Sequence, residues 1–161
     1  MGHTETDHQH YMHLAAELAR EHMHAGAGGP FGAVIVHQGV VIGRGWNQVT
    51  SGHDPTAHAE VSAIRDACRT RSTFSLAGSA IYTTCEPCPM CLGAIWWARI
   101  ETIYYANTRD DAARIGFDDA ALYREVSLDL HERQLPLVRH HSDEATALMR
   151  EWLAKEDKIP Y

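Results

Sequence analysis

Two cysteines set among prolines limit the folds open to this chain more than any other feature. Cys88 and Cys91 lie in the run Pro87-Cys88-Pro89-Met90-Cys91, and proline is favoured at the start of a helix. Because residues three apart share one helix face, both thiols of a helix beginning here can reach a single ion. A helix N-terminus and a metal both favour the thiolate form. The fold must then bring a further ligand to this point.

We predict that the third ligand is His58, at the start of another helix in the sequence His58-Ala59-Glu60. One histidine and two cysteines leave a fourth tetrahedral position for water, which is the pattern of a catalytic zinc. Glu60 is predicted to be a general acid/base rather than a ligand, because zinc lowers the pKa of its water to about 7 and a nearby carboxylate can accept the proton. The two motifs together are the signature of zinc-dependent nucleobase deaminases.

The cysteine spacing leaves other interpretations to weigh. The three cysteines from Cys85 to Cys91 resemble part of an iron–sulfur ligand run, but the next ligand position holds Ile95. A Cys-x-x-Cys redox pair leaves the His-x-Glu motif without a role. A structural zinc module without activity leaves the acid/base group unexplained. Cys85 and Cys68 are predicted to be small buried residues rather than ligands.

The order of the predicted elements indicates an α/β fold. Hydrophobic periodicity predicts a first helix with Thr6 and Gln9 in a capping box, then a hairpin, then helices alternating with strands. The predicted strands are 33–36, 40–42, 80–84, 102–106 and an edge strand at 135–138; a polar loop covers 48–56; later helices begin near 58, 90, 110, 119 and 142. This order implies one mixed sheet covered on both faces. We expect a single domain over residues 1–161, with residues 1–6 a disordered or solvated end.

Charge and hydropathy exclude several partners. Lysine plus arginine number 14 and aspartate plus glutamate 21, so the net charge is −7. This balance lacks the basic footprint of a protein that grips a nucleic acid. The longest apolar stretches, such as residues 92–98, are too short to span a bilayer. Residues 1–13 contain no apolar run typical of a signal peptide, so a cytoplasmic location is expected.

Two longer stretches carry a resemblance to a known family. Residues 54–61 and 84–95 resemble the cytidine deaminase superfamily of zinc-dependent nucleobase deaminases, and more narrowly its small bacterial guanine deaminases. The other positions that fit this branch are 29–36, Asn47, 116–119 and Tyr161. The resemblance thus runs over nearly the whole chain. It implies a three-layer α/β/α sandwich around a mixed five-stranded sheet.

The resemblance also implies roles for individual residues. It implies one Zn²⁺ per subunit, held by His58, Cys88 and Cys91 with a bound water or hydroxide, and proton transfer by Glu60. The residues that it places around a purine base are Asn47 and Asp119 as hydrogen-bonding groups, Phe31 as a stacking ring, and Trp97 and Tyr161 as an aromatic wall. It further implies a homodimer in which residues 155–161 of each chain cross over and close the partner's site.

The implied reaction is hydrolytic deamination of guanine to xanthine and ammonia. Zinc hydroxide attacks C2, and Glu60 protonates the adjacent ring nitrogen and then the departing amine. A tRNA adenosine deaminase is the alternative, because it shares the zinc and the glutamate. The net charge opposes it, and so do residues 107–110, which lack the Ala-Arg-Asp stretch usual in such enzymes. Guanosine, cytosine and aminotriazines also stay open as substrates, since ring analogues share hydrogen-bonding patterns.

Overall fold

The fold is built on one mixed β-sheet, seen in a computed structural model that describes residues 4–161. The strands of this range are β1 (Gly32–His37), β2 (Val40–Trp46), β3 (Ser79–Cys85) and β4 (Thr102–Asn107). They lie in the order β2-β1-β3-β4. β1 pairs antiparallel with both β2 and β3, whereas β3 and β4 are parallel and are joined through a helix. The prediction of a mixed sheet is confirmed.

The predicted fifth strand is wrong. Residues 135–138, which lie within the described range, form no strand, and the sheet has four strands rather than five. Pro136 has no N–H to offer a ladder. The backbone N–H of Leu135 donates instead to Oε1 of Glu125 at 2.9 Å. A local side-chain acceptor therefore takes the place of a neighbouring strand.

Seven helices surround the sheet in the described part of the chain. They are α1 (Glu5–His24), α2 (Val49–Gly52), α3 (Ala59–Arg71), α4 (Pro89–Trp97), α5 (Arg109–Arg114), α6 (Ala120–Ser127) and α7 (Asp143–Ala154). The single turn of α2 lies within the predicted loop 48–56. No helix of residues 4–161 is long and apolar enough to cross a membrane.

The first helix begins two residues earlier than predicted. Its capping box joins Thr4 and Asp7 rather than Thr6 and Gln9, because the carboxylate of Asp7 accepts from both the backbone N–H and the hydroxyl of Thr4. Residues 4–6, placed in the predicted disordered or solvated end, are the exposed cap and first turn of α1. Residues 1–3 of that end lie outside the described residues.

Helices cover both faces of the sheet, and each face carries its own apolar cluster. Successive side chains of a strand point to opposite faces, so alternate positions of β1 and β3 separate the two clusters. Val34, Val36 and Tyr82 pack with α1, and Ala33, Ile35 and Ile81 pack with α3 and α4. Gly45 on β2 brings α3 close, since a Cβ there would overlap the carbonyl oxygen of Ala59 and the nitrogen of Ala63. The beginning of α3 therefore rests directly on the sheet.

Candidate active site

Three side chains converge where α3 and α4 begin. His58 is the N-cap of α3, Cys88 is the N-cap of α4, and Cys91 lies in the first turn of α4. Nδ1 of His58 lies 3.6 Å from Sγ of Cys88 and 3.5 Å from Sγ of Cys91. The three ligand atoms lie within 4.8 Å of one another. The structure thus brings together the three residues that the motifs single out.

The spacing of these atoms fits zinc. A tetrahedral zinc with Zn–N of about 2.0–2.1 Å and Zn–S of about 2.3 Å places its nitrogen and sulfur ligands about 3.6 Å apart. The two nitrogen–sulfur distances in this group agree with that value. Thiolate and imidazole ligands also suit zinc, whereas magnesium and calcium prefer oxygen. One imidazole and two thiolates leave a fourth position for a reacting molecule.

The thiols of Cys88 and Cys85 differ in pKa. The hydrogen bond that the Cys91 thiol donates lowers the pKa of Cys88 to about 4, and a hydrogen bond from His58 adds to the effect. Burial raises the pKa of Cys85 to about 11. The Cys85 thiol instead donates to the backbone oxygen of Thr108 at 3.6 Å. Cys88 is therefore prepared as a thiolate ligand, and Cys85 remains a protonated, buried thiol.

Glu60 lies beside the ligand group, buried in the first turn of α3. Its side chain is only 6% exposed, and the hydroxyl of Thr83 on β3 donates to its Oε1 at 3.1 Å. Burial raises the pKa of Glu60, because the charged carboxylate loses its hydration. A carboxyl group that retains its proton more readily than usual is suited to give and take protons near neutral pH. Sequence reasoning missed Thr83, since a buried threonine in a strand carries no signal of function.

A cavity of about 430 Å³ opens onto this group. Its size lies within the range of small-molecule sites. The residues of its wall that bear on binding or chemistry are Phe31, Asn47, His58, Glu60, Cys88 and Asp119. Three of the five predicted substrate-binding residues therefore face the same space as His58 and Cys88.

Asn47 is held firmly in the cavity wall at the end of β2. Its Oδ1 accepts from the backbone N–H of Val49 at 3.2 Å, and its own backbone N–H donates to the oxygen of Phe31 at 3.0 Å. A Cβ on Gly28 would overlap both Oδ1 and the backbone oxygen of Asn47. The glycine-rich segment before β1 therefore sets the position of this amide by close backbone approach.

The neighbouring acids Asp118 and Asp119 have different roles. Oδ1 of Asp118 accepts from the backbone N–H of Ala120 at 2.9 Å at the start of α6. Asp119 is the N-cap of α6 and, although fully described, makes no capping hydrogen bond with its side chain. Burial raises the pKa of Asp119, and the negative charge of Cys88 raises it further. Both acids line the cavity, but the carboxylate of Asp118 is engaged at the start of α6, whereas that of Asp119 caps no helix N–H group.

An aromatic pair forms another part of the wall. The rings of Phe31 and Phe117 meet edge to face with centroids 4.9 Å apart, a favoured arrangement for two aromatic rings. Phe117 is 46% exposed and lines the cavity. It was not assigned a site role from the sequence, although it directly precedes the acidic pair.

Trp97 and Tyr161 do not line this cavity. Trp97 ends α4 and is 61% exposed, and Tyr161 is 74% exposed. Their ring centroids lie 6.1 Å apart, and Tyr161 also approaches Phe74, at 6.4 Å. At about 1.5 Å of rise per residue, α4 separates Trp97 from Cys88 by about 13 Å. One chain therefore does not supply the predicted aromatic wall to its own cavity.

Comparison with known proteins defines the class to which this site belongs. The family described as the cytidine and deoxycytidylate deaminase zinc-binding region matches residues 5–107, which include the three ligands and Glu60. The chain belongs to this family.

Individual relatives extend the match beyond that region. Guanine deaminase of Bacillus subtilis (strain 168) is 45% identical over 155 residues, which cover 96% of this chain and 99% of that protein. An X-ray structure of guanine deaminase from Bacillus subtilis matches with a TM-score of 0.91 and 44% identity, covering 100% of this chain and 99% of the other. A tRNA-specific adenosine deaminase of Buchnera aphidicola subsp. Schizaphis graminum is 35% identical over 111 residues, 69% of this chain and 70% of that protein.

Proposed function

We propose that this chain is a zinc-dependent guanine deaminase that converts guanine and water to xanthine and ammonia. The observation that carries the proposal is that Asn47 and Asp119 line the same cavity as Glu60, His58 and Cys88. Asp119 lies beyond the family match, which ends at residue 107. The full-length similarity to a guanine deaminase supports an assignment that depends on this later segment.

The cavity offers groups that complement a guanine ring. The carboxylate of Asp119 accepts hydrogen bonds, as the N–H groups of the guanine edge require. The amide of Asn47 provides both a donor and an acceptor for the ring nitrogens and oxygen. The ring of Phe31 gives the flat purine an aromatic surface for stacking. Together these groups orient C2 towards Glu60.

Proton transfer is the task of Glu60. His58, Cys88 and Cys91 would hold the zinc ion, which would supply the Lewis acidity that lowers the pKa of a water to about 7. The Glu60 carboxylate accepts a proton from this water and delivers it to the ring nitrogen beside C2. Once the water oxygen is bonded to C2, Glu60 takes the second proton from that oxygen and gives it to the 2-amino group. The C2–N bond then breaks, ammonia leaves, and the oxygen remains as the new carbonyl of xanthine. The burial that raises the pKa of Glu60 suits it to both transfers.

We also propose a homodimer with exchanged C-terminal segments. Trp96 and Trp97 of α4 are 75% and 61% exposed, and α7 exposes Leu148, Met149 and Leu153. Exposed apolar surface of this extent is typical of a face covered by a partner. Tyr161 already lies beside the exposed Trp97. In the dimer, residues 155–161 of each chain would bring Tyr161 to the partner's cavity, and Trp97 of the same chain as that Tyr161 would complete the aromatic wall.

The activity is tested by measuring ammonia release from a panel of compounds with the zinc-loaded protein. The panel comprises guanine, guanosine, cytosine, an aminotriazine and an adenosine-containing tRNA anticodon stem–loop. We expect turnover of guanine, with xanthine as the product. Ammonia from the stem–loop but not from guanine would place the activity with the tRNA deaminases instead, and no release from any compound would contradict an enzyme of this class.

The proposed role of Glu60 is tested with Glu60→Gln. The amide has nearly the same shape but cannot accept and return a proton, so we expect bound zinc to remain and turnover to be lost. Glu17→Gln on the exposed surface of α1 is the matched control. Substantial guanine turnover by Glu60→Gln would exclude Glu60 as the proton-transfer group.

A further inference from the structure

The helix that presents Asp119 is weakly attached to the rest of the protein. None of the eight residues of α6, all within the described part of the chain, is buried. Leu122 and Val126 are 41% and 50% exposed. Burial of apolar side chains, which normally anchors a helix, therefore contributes little to the position of α6. A small number of specific contacts must determine where Asp119 lies.

Tyr123 provides the most direct of these contacts. Its hydroxyl donates to the backbone oxygen of Pro87 at 2.6 Å, and Pro87 immediately precedes the zinc ligand Cys88. At its other end, the backbone N–H of Tyr123 donates to the oxygen of Asp119 at 3.0 Å. Tyr123 thus joins the turn that carries Asp119 to the loop that carries Cys88.

Arg109 holds the ring of Tyr123 by packing its guanidinium group over the ring face. Its guanidinium carbon lies 4.3 Å from the centre of the Tyr123 ring, within the range of a cation–π contact. Nε of Arg109 lies 3.4 Å from Oε1 of Glu86, and its backbone N–H donates to Oε2 at 3.1 Å. Because Glu86 lies in the same loop as Pro87, the ring and the loop are held as one unit.

We propose that Tyr123 is a positioning residue for substrate recognition, which holds Asp119 at a set distance from the zinc ligands through its hydrogen bond to Pro87. This inference rests on the proposed function only for what Asp119 binds. Tyr123 does not line the cavity and acts through Asp119. The neighbouring Arg109 and Glu86 keep the tyrosine ring in the orientation that this hydrogen bond needs.

The variant Tyr123→Phe tests this role because it removes the hydroxyl and keeps the ring beneath Arg109. We expect KM for guanine to rise about five-fold, kcat to stay within about two-fold, and zinc content to stay at one ion per chain. Tyr11→Phe is the matched control, since Tyr11 also donates to a backbone oxygen, that of Gly39 at 2.9 Å, away from the cavity. A fall in kcat with loss of zinc would show that Tyr123 acts on Cys88 and would overturn the proposal.

A double-mutant cycle with Asp119→Asn separates positioning from general loss of structure. If Tyr123 acts through Asp119, loss of the Tyr123 hydroxyl should have little further effect on KM once Asp119 is replaced by Asn. The rise in KM of the double variant is then smaller than the product of the two single rises. Effects that multiply would mean that Tyr123 acts independently of Asp119. An unchanged KM in Asp119→Asn alone would remove the binding role of Asp119, and this inference with it, while leaving guanine turnover by the unmodified protein in place.

Hydrogen exchange gives a measurement that does not depend on activity. In the zinc-loaded protein, Tyr123→Phe should speed amide exchange in residues 120–127 and leave the amides of α3 unchanged. Unchanged exchange in α6 would overturn the proposal whatever the substrate. Absence of guanine turnover by the unmodified protein would contradict the proposed function separately.

Discussion

Thr83 on β3 donates a hydrogen bond to Glu60 on α3 at 3.1 Å, in a part of the core where Thr83 is fully buried. The contact links the central sheet to the residue proposed to move protons. A buried carboxylate with a fixed donor keeps one orientation towards the cavity. In the proposed mechanism, the sheet thus supports the proton-transfer group as well as the fold.

Replacing Thr83 with valine tests this support, because the side chain keeps its shape and loses its donor. We expect kcat for guanine to fall about ten-fold with zinc retained, since hydrogen bonds to charged groups contribute about 1.5–3 kcal/mol. Thr102→Val, at an exposed position on β4, is the control. Steady-state kinetics and zinc content give the answer, and an unchanged kcat would show that Glu60 is oriented without Thr83.

Zinc content should distinguish the cysteines. Cys88→Ser removes a thiolate with a pKa lowered to about 4, so we expect its zinc content to fall from one ion per chain towards zero. Cys85→Ser should keep its zinc, because that thiol is protonated and bonded to the oxygen of Thr108. Metal analysis of the purified variants measures both. Because metal binding stabilises the folded state, the zinc-free variant should also unfold at a lower temperature. Loss of zinc from Cys85→Ser would require a different ligand set.

Gly28→Ala should weaken substrate binding although it replaces none of the side chains proposed to contact the substrate. The added methyl group would overlap Oδ1 and the backbone oxygen of Asn47 and push this amide from its place. We expect KM for guanine to rise about ten-fold, which corresponds to roughly 1.4 kcal/mol of lost interaction. Gly52→Ala, where a Cβ meets nothing within 4 Å, is the matched control. Equal KM values for the two variants would contradict the role of Asn47.

Mixed dimers can show whether Tyr161 serves the partner's cavity. A chain with Glu60→Gln lacks the proton-transfer group, and a chain with Tyr161→Ala lacks the closing ring. In a mixed dimer with exchanged tails, one site combines an intact Glu60 with an intact Tyr161. The purified mixed dimer should therefore have about one half of the normal activity, because one of its two sites is complete.

Co-expression of the two variants with different affinity tags, followed by purification of the mixed dimer, makes the measurement possible. Each variant expressed by itself is the control. If Tyr161 acted on its own chain, both sites of the mixed dimer would be defective and no activity would return. A monomer in light scattering would contradict the exchange at the outset.

The sequence by itself determined which residues form the candidate metal site. Cys88 and Cys91 are three residues apart, so a single helix turn places both side chains on one face. His58 and Glu60 are the N-cap and a first-turn residue of α3, and both line the cavity at that helix end. The mixed sheet and the helices on both faces were also predictable, because they follow from hydrophobic periodicity within each segment.

Only the tertiary structure decided how the remaining groups are used. It gave the carboxylate of Asp118 a hydrogen bond to α6 and left that of Asp119, in the same cavity wall, without one. It placed Thr83 beneath Glu60, and it placed Trp97 and Tyr161 outside the chain's own cavity. It also gave the backbone of Leu135 a side-chain acceptor where a fifth strand was expected. The positions of Thr83, Trp97 and Tyr161 depend on distances between elements far apart in the chain, which local residue patterns do not encode.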